Sequence, residues 1–378
     1  MNDKIWLSSP HMGGGEMKYV QEAYDTNWVA PLGKNVNMFE DKLADFSGAS
    51  YASALSSGTS AIHLALVLLG VGQGDEVIVQ SFTFSASANP VTYVGATPVF
   101  VDSEEDTWNM CPDTLKKAIE DRMAKGKVPK AIIPVHLYGM PAKMDKIIQV
   151  ADEYNIPIIE DAAEALGSSY KNKKMGTWGH LGVLSFNGNK IITTSGGGAL
   201  LSDDKELIEK SRFLATQARD AAPHYEHSHI GFNYRMSNIL AGIGCGQMEV
   251  LNSHIEKRRN NNVWYRELLK NSKGVKFQEE PNGDYYSNYW LSSICIDPQK
   301  CGITREELRL KFEEANIESR PLWKPMHLQP VFKDFPFYST GVSEQLFKDG
   351  LCLPSGSNLS SAERDRIASV LKETLVIN

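Results

Sequence analysis

The stretch Pro157-Ile158-Ile159-Glu160-Asp161-Ala162-Ala163-Glu164 decides the fold. Its apolar start shows no polar alternation, which suits a strand covered on both faces. Ala131-Ile132-Ile133-Pro134-Val135 has the same character. Residues 144–154, between them, carry helical spacing. Strand, helix and strand therefore alternate, which indicates an α/β fold with a mostly parallel central sheet flanked by helices. Asp161 follows the strand, and open α/β sheets hold ligands at the carboxyl ends of their strands. Taken alone, Asp161 serves equally well as the cap of a following helix.

The pattern extends outward. Further strands are expected at 76–80, 98–101, 182–186 and 198–201. Helices are expected at 16–26, 35–46 and 115–123, and at 61–69 with Thr59 or Ser60 as cap. Two more are expected at 237–251 and 255–269. Beyond residue 270 the chain turns polar, then alternates over 289–296 like a half-buried strand. Thr304 and Glu307 form a capping box that opens a helix at 306–315. Two domains follow from this reading: a large α/β domain over 1–255 and a smaller α+β domain over 256–378.

The 378 residues carry 46 acidic and 39 basic side chains, a net charge of -7. That balance argues against a nucleic-acid partner. With 42% hydrophobic residues the composition is that of an ordinary globular protein. The longest apolar run, 61–71, is interrupted by His63 and falls short of the ~20 residues a membrane span needs. The first six residues lack a signal-peptide core, so the cytoplasm is expected. Five cysteines without a CxxC pair fit reduced thiols.

Ser56-Ser57-Gly58-Thr59-Ser60-Ala61 precedes a helix, and a helix N-terminus suits a phosphate. An ordinary cap explains the same residues. Lys190 stands between a strand and Gly196-Gly197-Gly198, where desolvation can make a lysine a Schiff-base amine. Most lysines in isolation are solvated. His224, His227 and His229 lie in a loop without metal-site spacing, so no metal is expected. Gly242, Gly244 and Gly246 point to close helix packing, and Lys257-Arg258-Arg259 to a solvated helix face.

Taken together these signals have an order. A phosphate site at a helix end, the aromatic stretch Phe82-Thr83-Phe84, Asp161, and Lys190 form the layout of a fold type I pyridoxal 5'-phosphate (PLP) enzyme. The chain also resembles the DegT/DnrJ/EryC1/StrS family of sugar aminotransferases. The matching stretches are APLG at 30–33, SSGTSAIHLAL at 56–66, FTFSASAN at 82–89, PVHLYG at 134–139, EDAAEALGS at 160–168, SFNGNKIITTSGGGAL at 185–200, GFNYRMSNILAGIG at 231–244 and ESRPLWKPMHLQPVF at 318–332.

The resemblance implies roles for individual residues. Lys190 and Asp161 would be catalytic, Lys190 as the Schiff-base lysine and Asp161 on the pyridine nitrogen. Thr59, Ser60 and Ser185 would bind the cofactor phosphate, with Asn238 reaching it from the partner of a homodimer. Phe84 would stack on the ring, and Glu164 would lie near it. Pro31, Asn187, Arg320, Trp323, Lys324 and His327 would face the nucleotide sugar. Within the family, SSPHMGGGEMKYV, NGNKIITTSGGG, YEHSHIGFNYRMSN and RPLWKPMH resemble transaminases of the bacterial UDP-N-acetylbacillosamine pathway. Those enzymes aminate carbon 4 of a UDP-linked 2-acetamido-4-keto-6-deoxyhexose. L-glutamate would be the donor and pyridoxamine 5'-phosphate the intermediate form of the cofactor. The competing expectations are a GDP-perosamine synthase or a 3-amino dTDP-sugar enzyme, a PLP-dependent sugar dehydratase, which the presence of Lys190 disfavours, and a non-catalytic PLP-binding regulator.

Overall fold

The apolar runs become the centre of the main sheet in a computed structural model of the chain, which describes residues 3–375. Met1 and Asn2 of the N-terminal reading lie outside the described residues. The sheet has two halves. One runs Tyr51–Leu55, Gly198–Ser202, Leu181–Ser185, Ile159–Asp161; the other runs Phe337–Tyr338, Thr97–Val101, Glu76–Gln80, Ala131–Ile133. Parallel bridges between Ile132 and Ile158 and between Val135 and Asp161 join them. Only Gly198–Ser202 runs against its neighbours, so the sheet is mostly parallel, as the apolar runs indicate.

Residues alternate between two cores. Val77, Val79, Phe100, Ala131 and Ile133 pack on one face of the sheet. Ile78, Val99, Val101 and Ile132 pack on the other. All of them are buried, which explains why their strands carry no polar alternation. Helices cover both faces.

The two helices expected between 237 and 269 are one, Asn238–Leu269. The polar residues Asn252 and Ser253 resemble a break, but they lie exposed on its outer surface. The first half packs through its glycines. A Cβ on Gly244 would sit 2.7 Å from the Phe39 ring, and one on Gly246 would sit 2.6 Å from Glu16 Cα. The second half turns buried residues such as Tyr265 and Leu269 toward the C-terminal region. There Val275–Phe277, Ser292–Ile296, Gly350–Leu353 and Arg320–Pro321 form a separate four-stranded antiparallel sheet.

Residue 255, where the two expected domains meet, therefore lies inside this helix. Phe337–Tyr338 also returns from the C-terminal region to pair with Thr97–Val101 of the main sheet. The capping box at Thr304 and Glu307 forms and opens Arg305–Glu314.

One surface expectation fails. Lys257 is exposed, but Arg258 is only 1% exposed and Arg259 lies half-buried against Tyr286 and Glu280. The long helix is sandwiched between the two regions of the chain, so it has little solvated face at this point. All five cysteines are free.

Candidate active site

The site is assembled where the strands of the main sheet end. The helix Gly58–Leu68 starts just after Tyr51–Leu55. Its cap is Ser57 rather than Thr59 or Ser60: Ser57 Oγ accepts from the Ser60 N–H, and the Ser60 hydroxyl accepts from the Ser57 N–H, both at 3.0 Å. The Ser60 hydroxyl is thus committed to the cap, and Ser60 is not part of the cavity wall. Ser57, Gly58 and Thr59 are. The N–H groups of Gly58 and Thr59 find no acceptor among the described residues. Ser185 closes this corner, close enough that a Cβ on Gly58 would lie 3.1 Å from the Ser185 Cβ. Two free N–H groups and two hydroxyls at a helix N-terminus suit a phosphate.

The third glycine of the run explains itself sterically. A side chain at Gly198 would collide with the backbone of Ser57 and Gly58. Glycine there lets the helix N-terminus settle directly onto the neighbouring strand.

The cavity between these elements has a volume of about 270 Å³. Thr59, Phe84, Asp161, Glu164, Ser185, Asn187, Lys190 and Trp323 from the sequence reading all line it. Asp161 is 4% exposed and makes no ion pair among the described residues. Its Oδ2 accepts from the Ser87 hydroxyl at 2.6 Å, and its Oδ1 accepts from the Ala163 N–H at 3.1 Å. Thr83 Oγ1 lies 2.7 Å from Ser87 Oγ. No helix follows Asp161 directly, so its carboxylate stays turned to the cavity.

Its neighbour Glu160 faces away, as strand alternation requires. It meets His136 Nε2 at 2.8 Å and the N–H groups of Trp178 and Gly179 at 2.7 and 3.0 Å. Adjacent carboxylates thus serve different ends, Glu160 the core and Asp161 the site.

Lys190 Nζ lies 3.2 Å from Glu164 Oε1 and 4.1 Å from the centre of the Trp290 ring. Glu164 Oε2 accepts from the Tyr138 N–H at 2.7 Å. Burial pushes the Glu164 carboxyl pKa up, against the opposing pull of Lys190. Glu164 therefore loses its charge as pH falls through a value above the ordinary carboxylate range, and the charge pair with Lys190 is present only above it. Glu164→Gln is expected to lower kcat roughly tenfold, the loss of one charge-assisted bond. The same change should remove the acidic limb of the pH–rate profile. A variant that keeps the wild-type acidic limb would assign that limb to another group.

The remaining sequence-derived residues lie elsewhere in this chain. The Asn238 amide is occupied, accepting from the Asn35 N–H at 2.9 Å and donating to Trp28 O at 3.0 Å. Pro31 bridges to Ser237 beside it. Arg320 pairs with Glu318 at 2.7 Å on the surface. His327 stacks on Phe337, its Nδ1 2.7 Å from Ser81 Oγ, and burial lowers its pKa. Lys324 is exposed and follows Trp323, but does not line the cavity.

Trp290, Ser87 and Thr83 line the cavity with no role read from sequence, and Ser57 stands in the stretch quoted for the phosphate. Ser87 and Thr83 lie within the quoted 82–89 stretch, where their hydroxyls were the available signal. Trp290 sits in a stretch that reads simply as a half-buried strand. Among the described residues no cluster of His, Cys, Asp and Glu could hold a metal ion. None of their helices is long and apolar enough to cross a membrane.

The donor set fits PLP. There is a phosphate corner at the helix end, a buried acid without a cation to meet a pyridinium N–H, a primary amine inside, and aromatic walls from Phe84, Trp290 and Trp323. Comparison with known proteins gives the same result. The model of the DegT/DnrJ/EryC1/StrS aminotransferase family matches residues 10–372. The chain belongs to this family.

A protein of Bacillus subtilis (strain 168) named "Putative pyridoxal phosphate-dependent aminotransferase EpsN" is 54% identical over 98% of this chain and 96% of its own. A GDP-perosamine synthase of Caulobacter vibrioides (strain ATCC 19089 / CIP 103742 / CB 15) is 39% identical over 99% of each chain. The crystal structure of a DegT DnrJ EryC1 StrS aminotransferase from Brucella abortus superposes with a TM-score of 0.89 at 32% identity, over 96% of this chain and 95% of that one. This member of the DegT/DnrJ/EryC1/StrS family is accordingly a PLP-dependent sugar aminotransferase with a fold type I α/β architecture.

Proposed function

We propose that the enzyme transfers the amino group of L-glutamate to carbon 4 of a UDP-linked 2-acetamido-4-keto-2,6-dideoxyhexose. The product would be a UDP-4-amino sugar for bacterial glycan of the N-acetylbacillosamine type. The reading also takes the enzyme to be cytoplasmic and to work as a homodimer. The observation that supports its chemistry is Lys190, the one lysine among the described residues lining the cavity, beside Glu164 and on the same wall system as Asp161.

PLP, when bound, supplies an electron sink and carries the amino group from one substrate to the other. The protein supplies the rest. Thr59, Ser185 and the free N–H groups of Gly58 and Thr59 hold the phosphate. Asp161 keeps a proton on the ring nitrogen, and Ser87 keeps Asp161 in place. Phe84 and Trp323, with ring centres 5.5 Å apart, screen the interior from water. Lys190 Nζ takes the α-proton from the amino donor in one half of the reaction and delivers a proton to sugar carbon 4 in the other. Glu164 stabilises the ammonium that Lys190 becomes while it carries a proton within each half of the reaction.

The dimer reading draws on surface chemistry. Trp28, Val29, Leu32, Tyr225 and Ile230 are large apolar side chains left exposed. Pro31 is exposed beside the first three, outside its own cavity, on the face a partner would cover, and Asn238 anchors that segment through Trp28 O and the Asn35 N–H.

A GDP-4-keto-6-deoxy sugar is the second reading, favoured by the 39% identity to a GDP-perosamine synthase. The test is to incubate the enzyme with L-glutamate and UDP-, GDP- and dTDP-linked 4-keto-6-deoxy sugars and to follow products by mass spectrometry. Amination of the UDP sugar in preference to the others is expected. Preferential turnover of the GDP sugar would replace the first reading with the second. Release of ammonia matched to glutamate consumption, with loss of a sugar hydroxyl instead of gain of an amine, would indicate a dehydratase.

A further inference from the structure

Arg258 is 1% exposed and has no carboxylate partner among the described residues. Its Nη1 donates to the carbonyls of Trp290 at 2.7 Å and Ser355 at 3.2 Å. Its Nη2 donates to Ser8 Oγ at 3.0 Å and lies 3.5 Å from the Lys190 carbonyl. A buried guanidinium held only by neutral oxygens is a costly arrangement, since carbonyls must compensate the lost hydration.

Three of the four groups it touches act on one segment. The Ser8 hydroxyl donates to the Asn189 carbonyl at 2.7 Å. Trp290 Nε1 donates to that same carbonyl at 2.6 Å. The Trp290 ring supports Lys190 Nζ at 4.1 Å. Arg258 thus grips the backbone of Lys190, the backbone of the tryptophan beneath its amine, and the serine that holds the preceding residue. Three distant parts of the chain, near residues 8, 290 and 355, meet the lysine through it.

We propose that Arg258 is a positioning residue for the reaction, fixing the Asn189–Lys190 backbone and Trp290 so that the Lys190 amine stays aimed into the cavity. The inference rests on Lys190 being the catalytic amine. A Lys190→Ala variant that still turns over would remove that premise, whatever Arg258 does.

The test uses Arg258→Met, which keeps length and loses the donors, and Arg258→Lys, which keeps the charge but not the fork. In the full-length enzyme, Arg258→Met should lower kcat roughly 10- to 100-fold, with KM for the amino donor within about twofold of wild type. Arg258→Lys should recover part of that loss. A second readout needs no turnover. In the cofactor-free protein, acetic anhydride labelling of Lys190 relative to the other lysines, read by mass spectrometry, should rise several-fold in Arg258→Met. A purely structural role would lower the melting temperature and leave both readouts at the wild-type level. If Arg258→Met does not fold, Ser8→Ala takes its place, with a loss of a few-fold in kcat and increased Lys190 labelling expected. Wild-type kcat or wild-type Lys190 labelling in a folded variant overturns the proposal.

Discussion

Replacing Lys190 with Ala lowers turnover by roughly 10⁴-fold or more. General acid–base transfer by a positioned side chain accounts for about 10²–10⁴, and the covalent role of the same amine adds to it. Among the described residues lining the cavity there is no second lysine to form the covalent bond. Trp290, Asn187 and Asn189 beside it in the cavity wall carry no group that takes a proton from carbon. The Lys190→Arg variant is the sharper control. It keeps a cation beside Glu164 and over Trp290 but cannot act as a nucleophile at neutral pH. Both variants should melt near the wild-type temperature. Turnover within tenfold of wild type in Lys190→Ala, measured by formation of amino sugar from glutamate, would refute the role given to this lysine.

Asp161→Asn should cost roughly 100-fold in kcat. The amide keeps the shape and can still accept from the Ala163 N–H, but it carries no charge to hold a proton on a ring nitrogen. A hydrogen bond to a charged group is worth about 1.5–3 kcal/mol, and each 1.36 kcal/mol in the barrier is tenfold in rate. Asp161→Glu, one methylene longer, must give up the Ser87 contact at 2.6 Å or crowd the ring. It should recover little of the loss. The measurement is kcat for both variants under saturating glutamate. An Asp161→Asn enzyme with wild-type kcat would show that the charge at this position is not used.

Much of the fold is legible because the strands that carry it are apolar without interruption. Ala131–Ile133 and Ile159–Asp161 could be placed from their isoleucines alone. Tyr51–Leu55 gives no such signal, since it is built mostly from alanine, serine and tyrosine. It becomes a strand by pairing along its whole length with Gly198–Ser202. The long helix reads as two because the polar pair Asn252 and Ser253 resembles a break, although buried residues at three- and four-residue spacing run through it from Gln247 and Leu251 to His254, Ile255 and Arg258.

The site divides in the same way. Lys190, Asp161 and Glu164 stand in short segments whose composition is unusual, so local sequence points to them. Trp290 and Arg258 act through contacts with residues far away in the chain. Trp290 reads from sequence as one residue of a half-buried strand and Arg258 as part of a solvated helix face. Only the packing of the long helix between two regions gives them their positions.

The return of Phe337–Tyr338 to the main sheet has a consequence for the nascent chain. Thr97–Val101 leaves the ribosome early, yet its outer hydrogen-bonding edge stays bare until residue 338 has followed. At 5–20 residues per second that interval is roughly ten to fifty seconds. A flat, apolar, unpaired strand is a template for pairing with other chains. The half-made enzyme is therefore most exposed to aggregation before its last forty residues are added, and a truncation between the long helix and Phe337 fixes it in that state.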